Sequence, residues 1–233
     1  MLNDKKFLGI IPARGGSKGI SDKNIIELGG KPLISYTLQA VADSKLLDRC
    51  IVSTDSEEIA AIAKEHGGDV PFMRPAEFAT DEALALDVLN HAIDELKNAG
   101  EQYDYILMLQ PTSPLRTGAD IDACIEMAVE KNADSVFSMK KIADFAPQKL
   151  KVLEDGQIKP YLEEERGQSD PRHKGQDVYK RNCAVYLTRT QLIQAGDQFG
   201  EASYAYVMPE ERSIDINDQS DLSFTEFLMS KNG

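Results

Sequence analysis

The sequence predicts an α/β protein with a mostly parallel central sheet and helices on both faces. Between residues 7 and 139, short apolar runs alternate with segments of helical spacing, as in chains built from strand–helix–strand units. The predicted strands are continuously apolar, which is typical of strands buried on both faces. The chain has 233 residues, so we expect a single domain spanning residues 1–233.

Each element has its own signal in the chain. Strands are predicted at 7–11, 50–54, 105–109 and 135–139, and helices at 32–41, 56–65, 81–96 and 121–129. The helix assignments rest on apolar periodicity and on an early proline or early acidic residues. A hairpin is predicted over 149–161, with its turn at Asp155-Gly156. We interpret 140–177 as an insertion outside the main sheet, followed by strands at 178–187 and 205–208 and a helix at 221–229.

Composition excludes several classes of partner. The 26 basic and 39 acidic residues give a formal charge of −13, which argues against nucleic-acid binding. No apolar run reaches the length of a membrane span, and the first residues lack the features of a signal peptide. The three cysteines are odd in number and widely spaced. This pattern is typical of a reducing compartment, so we expect a cytoplasmic protein.

The loop after the first strand concentrates positive charge and glycine. Residues 12–24 read PARGGSKGISDKN. The glycines free backbone N–H groups, and Arg14, Lys18 and Lys23 add cations, which together suit a polyphosphate. The spacing matches neither the Walker A loop nor the dinucleotide fingerprint, which argues against P-loop hydrolases and NAD dehydrogenases. A solvated basic turn is the alternative interpretation.

Ligands of parallel sheets bind at the carboxyl ends of strands. This rule selects the loops after Ile11, Thr54, Leu109 and Leu187. Residues 110–116 read QPTSPLR and hold an amide, two hydroxyls and a guanidinium between prolines, which suits a polyhydroxylated ligand. A turn that caps the next helix is the alternative.

A second group of oxygen donors lies near the end of the chain. Asp215 and Asn217 are two residues apart in an extended segment, so both side chains lie on one face. Such a pair suits Mg²⁺, which takes few protein ligands and adds phosphate oxygens. An Asp-rich turn before the last helix is the alternative. The three histidines have no zinc-site spacing.

Taken together, these motifs resemble the acylneuraminate cytidylyltransferases, the family that makes CMP-activated nonulosonic acids. The similarity runs from about residue 7 to residue 222 and is carried by 11–19, Lys23-Asn24, 74–77, Asp81, 110–116 and 213–216. It implies a Rossmann-like nucleotide-diphospho-sugar transferase fold. It also implies a reaction in which CTP and a nine-carbon α-keto acid sugar give CMP-sugar and pyrophosphate. Two alternatives are a different sugar acid such as the eight-carbon Kdo, and a nucleotide-binding protein without turnover.

The resemblance also assigns residues to roles. The catalytic residues it implies are Arg14, Lys23 and Asp215. The nucleotide-binding residues are Ala13, Arg14, Gly15, Gly16, Ser17, Lys18, Lys23, Asn24, Arg74 and Ala83. The substrate-binding residues are Gln110, Thr112, Ser113, Arg116, Lys149, Arg172, Asn182 and Tyr186. Mg²⁺ is the implied cofactor, held by Asp215 and Asn217. The insertion at 140–177 corresponds to a dimerisation and lid arm, so a homodimer is expected.

Four places depart from the family pattern, and the first is the run Arg172-His173-Lys174, which replaces an Arg-rich run ending in Gln. Asn217 stands where the family usually has a second Asp, Cys183 where it often has Gly, and Ala85 where a Ser is common. Neutral Asn offers Mg²⁺ a single carbonyl oxygen, and this departure motivates the alternative without turnover. The general base stays open between a metal-bound water and Asp215, and the sequence does not identify the acid.

Overall fold

The computed structural model describes residues 2–16, 20–142, 150–162 and 177–232. Its strands are β1 Phe7–Pro12, β2 Glu27–Leu28, β3 Lys31–Pro32, β4 Arg49–Ser53, β5 Tyr105–Met108, β6 Ser135–Ile142, β7 Lys151–Glu154, β8 Gln157–Pro160, β9 Val178–Arg189 and β10 Ser203–Val207. Its α-helices are α1 Leu33–Asp43, α2 Glu57–Glu65, α3 Ala85–Asn98, α4 Gly118–Glu130, α5 Thr190–Gln194 and α6 Gln219–Asn232.

A six-stranded sheet in the order β10-β6-β9-β5-β1-β4 forms the centre of the fold. All neighbouring strands pair in parallel except β9, which runs antiparallel to both β5 and β6. The prediction of a mostly parallel sheet is therefore confirmed. The selection of the loop after Leu187 is wrong, because the reversed direction of β9 places that loop at the amino-terminal edge of its neighbours.

Helices cover both faces of this sheet, as predicted. On one face, α1, α2 and α4 pack against alternate strand residues such as Ile11, Leu107 and Val185. On the other face, α3 and α5 pack against the intervening residues, such as Ile10, Ile106 and Tyr186. A third cluster joins Leu222 of α6 to Leu28, Leu33 and Ile216. This contact fixes the segment that precedes α6 beside the first loop.

Two further elements can be compared with their predictions. The hairpin is confirmed, since β7 and β8 pair antiparallel around Asp155 and Gly156, whose φ values are 49° and 81°. Helix α3 begins at Ala85, four residues after its predicted start, and the Asp87 carboxylate accepts the Leu84 N–H at 3.3 Å. Residues 81–84 are thereby left at the sheet edge instead of in the helix.

The insertion leaves the sheet from the β6–β9 strand pair. The antiparallel ladder continues through Lys140, Lys141 and Ile142, which pair with Lys180, Tyr179 and Val178. Residues 140–142 therefore extend the main sheet, and the separate β7–β8 hairpin follows them. Within the described ranges, no helix is long and apolar enough to cross a membrane.

Candidate active site

A cleft of about 500 Å³ opens at the carboxyl-terminal edge of β1 and β5. Its volume is in the range of small-molecule sites. Its predicted members come from four separate segments and are Arg14, Lys23, Asn24, Arg74, Ala83, Gln110, Thr112 and Asn217. The fold thus brings the loops after Ile11 and Leu109, residues 74–83 and Asn217 into one place, while the loops after Thr54 and Leu187 are not among the lining segments.

Hydrogen bonds within the first loop and to residues 53–55 fix its backbone. The Asn24 amide donates to the Arg14 carbonyl at 2.9 Å, and the Gly15 N–H donates to the Asp55 carboxylate at 3.0 Å. Gly16 has a φ of 63°, which a residue with a side chain rarely adopts. The Ala13 N–H donates to the Ser53 carbonyl at 3.0 Å, so it is already used within the sheet. Ser17 and Lys18 lie outside the described residues.

Two cations of this loop are held by neighbouring segments. Arg14 forms an ion pair with Asp81 and donates to the Ala79 carbonyl at 3.3 Å. The Lys23 ammonium donates to the Ile216 carbonyl at 3.1 Å. Lys23 therefore links the first loop to the segment that carries Asp215 and Asn217.

Arg74 is a buried cation at the wall of the cleft. Its guanidinium donates to the Ser53 hydroxyl at 3.1 Å, to the Ser53 carbonyl, and to the Phe78 carbonyl at 3.3 Å. Burial lowers the pKa of Arg74 to about 10, so the group stays charged at neutral pH. These bonds use three of the five N–H groups of a guanidinium, and the others remain for a ligand.

Thr112 has a hydroxyl that lacks a hydrogen-bond partner within the described part of the chain. The residue is 8% exposed and lines the cleft. Because buried hydroxyls normally have a partner, this orphaned group favours a ligand at this position. The Thr112 carbonyl accepts the Ile216 N–H at 2.8 Å, which fixes the loop.

Two predicted substrate-binding residues, Ser113 and Asn182, use their polar groups inside the protein. The Ser113 hydroxyl donates to the Asn182 carbonyl at 3.0 Å. The Asn182 side chain accepts from Ser138 at 2.6 Å and donates to Ser213 at 3.0 Å. Since these groups face protein partners, we reassign Ser113 and Asn182 to holding the loops that form the site.

Arg116 requires the same correction. It is buried, and it donates to the Gln110 carbonyl at 3.1 Å, the Ala184 carbonyl at 2.8 Å and the Thr37 hydroxyl. Burial lowers the pKa of Arg116 to about 10. Its guanidinium therefore joins the 110–116 loop to β9 and α1 instead of facing the cleft.

Asn217 lines the cleft, and Asp215, which is not among the lining residues, is in contact with Asn217 beside it. The Asn217 amide nitrogen donates to the Asp215 carboxylate and to the Asp215 carbonyl, both at 3.1 Å. The Cys183 thiol is a hydrogen-bond partner of Asp215. Burial, and to a smaller extent the negative charge of Asp215, raises the pKa of Cys183 to about 11. The Tyr186 hydroxyl donates to the Cys183 sulfur at 3.3 Å, so Tyr186 contacts the site through Cys183.

Some lining residues were not among the predicted site residues. They are Phe78, Thr80, Asp81, Ala85, Val88 and Met108. Ala85 and Val88 come from α3 and Met108 from β5, where periodicity indicates only a core position, and Phe78 comes from the short 3-10 turn Ala76–Phe78. Asp81 could have been found from its place in the family motif. Lys149 and Arg172 lie outside the described residues.

A second cavity of about 390 Å³ lies at the opposite, amino-terminal edge of β5. Two of its cations already have acidic partners: Lys5 pairs with Asp104 at 2.9 Å and Arg189 with Asp134 at 3.2 Å. It also lies away from the carboxyl ends of the parallel strands, where ligands bind in such sheets. The first cleft is therefore the candidate active site.

Similarities to known proteins agree with this geometry. A family model described as cytidylyltransferase matches residues 8–211. The chain is 32% identical over 229 residues to an N-acylneuraminate cytidylyltransferase of Escherichia coli, covering 97% of the chain and 52% of that relative. It is also 32% identical to the CMP-N,N'-diacetyllegionaminic acid synthase of Legionella pneumophila, with 97% of both chains covered.

The fold is also shared with a solved structure. A CMP:2-keto-3-deoxy-manno-octonic acid synthetase complexed with CTP superposes with a TM-score of 0.71 and 17% identity, covering 98% of this chain and all of the other. At that identity the likeness shows the fold alone. The chain spans about half the length of the Escherichia coli relative but nearly the whole Legionella one.

Proposed function

The chain belongs to the cytidylyltransferase family, and from this premise we propose that it joins CTP to a nine-carbon α-keto acid sugar, releasing pyrophosphate. One observation of the structure carries the proposal. Arg14 and Lys23, the two cations assigned to the triphosphate, line one cleft together with Arg74, in a chain whose formal charge is −13. A local group of cations on an acidic protein is what a triphosphate requires, because its binding depends on charge neutralisation.

In the proposed reaction, the anomeric 2-hydroxyl of the sugar attacks the α-phosphorus of CTP. A new P–O bond forms, the bond to pyrophosphate breaks, and the hydroxyl proton passes to a base, either Asp215 or water. Arg14 and Lys23 would hold the triphosphate and offset the charge that grows on the departing pyrophosphate. Arg74 and the backbone near Ala83 would contact the cytosine, while Gln110 and the Thr112 hydroxyl would contact the sugar. Binding both reactants in one cleft supplies most of the rate increase by positioning.

We also propose that Mg²⁺ binds at Asp215. The donor set fits this ion, because a carboxylate beside the cleft and the Asn217 carbonyl oxygen are hard oxygen ligands. The described residues contain no cluster of three or more His, Cys, Asp or Glu side chains suited to a metal. That sparse set is compatible with Mg²⁺, which commonly takes one or two carboxylates plus substrate phosphates. When bound, the ion would supply positive charge to the phosphates.

Two substitutions test the metal assignment. Asp215→Asn should nearly abolish turnover while the thermal midpoint stays close to that of the wild type. Asn217→Asp should keep or raise activity and lower the Mg²⁺ concentration that gives the half-maximal rate. Titration of the protein–CTP complex with Mn²⁺, followed by electron paramagnetic resonance, should show weaker binding to Asp215→Asn. An unchanged affinity there, or a raised Mg²⁺ requirement for Asn217→Asp, would place the metal elsewhere.

The insertion supports a homodimer as the assembly. The β7–β8 hairpin exposes Leu153 and Ile158, which are 72% and 71% accessible, and it pairs with no strand of the main sheet. Exposed apolar side chains on a projecting arm are typical of an interface. The arm would then carry Lys149 and Arg172 to the partner's sugar site.

We place the protein in the cytoplasm. The three cysteines are free. Free, widely spaced cysteines are typical of proteins in a reducing compartment.

Release of pyrophosphate tests the proposed function. The purified chain is incubated with Mg²⁺, CTP and, in turn, N-acetylneuraminate, pseudaminate, N,N'-diacetyllegionaminate and Kdo. We expect release with CTP and one of the three nine-carbon acids, and at least a hundredfold slower release when ATP or GTP replaces CTP. Fastest release with Kdo would instead identify an eight-carbon acid as substrate. Binding of CTP without release on any acid would identify a nucleotide-binding protein without turnover.

A further inference from the structure

Arg181 is an exposed arginine that rests on two aromatic rings. Its guanidinium carbon lies 5.6 Å from the centre of the Tyr186 ring and 5.7 Å from that of Phe199. Phe137 packs behind both rings, at 4.9 Å from Tyr186 and 4.8 Å from Phe199. A guanidinium that lies over aromatic faces is attracted to the rings, and its N–H groups can still donate hydrogen bonds to a ligand.

The strand register places Arg181 on the cleft side of the sheet. Tyr186 pairs with Met108, and Met108 lines the cleft. Because β9 runs antiparallel to β5, residues before Tyr186 lie beyond the carboxyl end of β5. Arg181 pairs with Met139, in the carboxyl-terminal half of β6. Arg181 therefore faces the same edge of the sheet as the cleft.

Cys183 connects Arg181 with Asp215 beside the cleft. Tyr186, whose ring lies under Arg181, donates its hydroxyl hydrogen to the Cys183 sulfur at 3.3 Å. The Cys183 thiol and the Asp215 carboxylate are hydrogen-bond partners. These contacts link Arg181 through Tyr186 and Cys183 to Asp215.

The charge of Arg181 is not matched by an acidic side chain in the described ranges. Other arginines of the fold do have such partners: Arg189, on the same strand, pairs with Asp134 at 3.2 Å, and Arg212 pairs with Asp120. A guanidinium that lies over aromatic rings and has no acidic partner among the described residues is available to an anionic ligand.

We propose that Arg181 binds the carboxylate of the sugar acid from within the same protomer, an inference that rests on the proposed function. The carboxylate of such an acid is attached to the carbon that carries the reacting 2-hydroxyl, so it must lie close to the Asp215 end of the cleft. A planar guanidinium also matches a carboxylate through two parallel hydrogen bonds. Arg181 would act in addition to Lys149 and Arg172, and it was not among the predicted site residues.

Steady-state kinetics with separate KM values test this role. Arg181→Gln removes the charge at an exposed position, and Lys180→Gln is the matched control, because strand alternation directs Lys180 to the opposite face. The acid is whichever of N-acetylneuraminate, pseudaminate and N,N'-diacetyllegionaminate the wild type turns over fastest. We expect Arg181→Gln to raise KM for the acid at least tenfold and to change KM for CTP less than twofold. Arg181→Lys should restore part of the loss, and Lys180→Gln should resemble the wild type.

The methyl ester of the same acid identifies the group that is bound. Used as a competitive inhibitor, the ester should bind wild type and Arg181→Gln within twofold of each other, because it has no carboxylate charge to lose. A tenfold loss for the ester as well, or an unchanged KM for the acid, would overturn the proposal. If the wild type releases no pyrophosphate with any acid, it is the proposed function that fails, and this inference falls with it.

Discussion

Cys183 shows how a single residue can depart from a family pattern at a structural cost. Its φ of 62° lies in the left-handed region, at the register shift where β9 leaves its regular pairing with β6. A residue with a Cβ atom is disfavoured there by about 1–2 kcal/mol. This conformation explains why glycine suits the position.

The strain at Cys183 can be measured by comparing two substitutions that both remove the thiol. Cys183→Ala keeps the Cβ atom, whereas Cys183→Gly removes it but loosens the unfolded chain. We expect Cys183→Gly to be the more stable by about 0.5–1 kcal/mol in urea denaturation. Equal stability, or a more stable Cys183→Ala, would show that the backbone is not strained here.

The sequence predicted several residues that line the cleft, but it did not predict which polar side chains bond to other parts of the protein instead of facing the cleft. Arg14, Lys23 and Asn24 were found because charge, glycine and polar groups cluster locally in the chain. The internal role of Arg116 was missed because its partners Thr37 and Ala184 are 79 and 68 positions away. Arg181 gave no local signal either, since its aromatic neighbours come together only in the folded sheet.

At the scale of elements, the first turn of α4 contacts two other segments of the fold through a single carboxylate. The Asp120 carboxylate, 1% exposed, accepts the Thr117 N–H at 2.8 Å as part of a capping box. It also accepts the Tyr206 hydroxyl of β10 at 3.0 Å and pairs with Arg212. One carboxylate thus joins α4 to the edge strand and to the segment leading to Asp215.

Replacing Asp120 should make stability depend less on pH. Burial raises the pKa of Asp120. The hydrogen bonds from Arg212 and Thr117 together lower this pKa by more than burial raises it, so the net shift is downward. A carboxyl group whose pKa is lowered in the folded state stabilises the protein at pH values above its pKa in the unfolded chain, which is about 3.9. This stabilisation is lost as the pH falls through the lower pKa of the folded state. Asp120→Asn should therefore cost about 1–3 kcal/mol at pH 7.

That cost should shrink as the pH falls below about 4, and thermal midpoints measured between pH 3 and 7 would show it. The exposed Asp94, replaced by Asn, serves as the control and should leave the profile unchanged. A difference between wild type and Asp120→Asn that is the same at pH 3 and pH 7 would contradict the assigned role.

Element boundaries were predictable where one local signal dominated. The Asp155-Gly156 turn fixed the hairpin because both residues tolerate positive φ. The start of α3 and the direction of β9 were not predictable in this way. The start of α3 depends on the capping contact of Asp87 with Leu84. The direction of β9 depends on how the chain returns to the sheet after the insertion.

At the scale of the whole molecule, the projecting hairpin should hold two copies together. Leu153→Asp combined with Ile158→Asp places charge in the proposed interface and should convert a dimer into a monomer at micromolar concentration. Size-exclusion chromatography with light scattering measures this directly. Phe224→Asp is the control. Phe224 is also an exposed apolar residue, but it lies on α6 and not on the hairpin. A monomeric wild type would contradict the assembly.

The central claim is that the cleft at the carboxyl edge of the sheet is where CTP reacts, and pyrophosphate release by Lys23→Ala tests it most directly. Lys23 lines the cleft and holds the Ile216 carbonyl at 3.1 Å, while the exposed Lys31 on β3 provides a control. We predict that Lys23→Ala lowers the rate of CTP-dependent release by at least a hundredfold with an unchanged circular dichroism spectrum, because the proposed contact of Lys23 with phosphate would strengthen in the transition state. Lys31→Ala should retain the full rate. A rate for Lys23→Ala within twofold of the wild type would contradict the account.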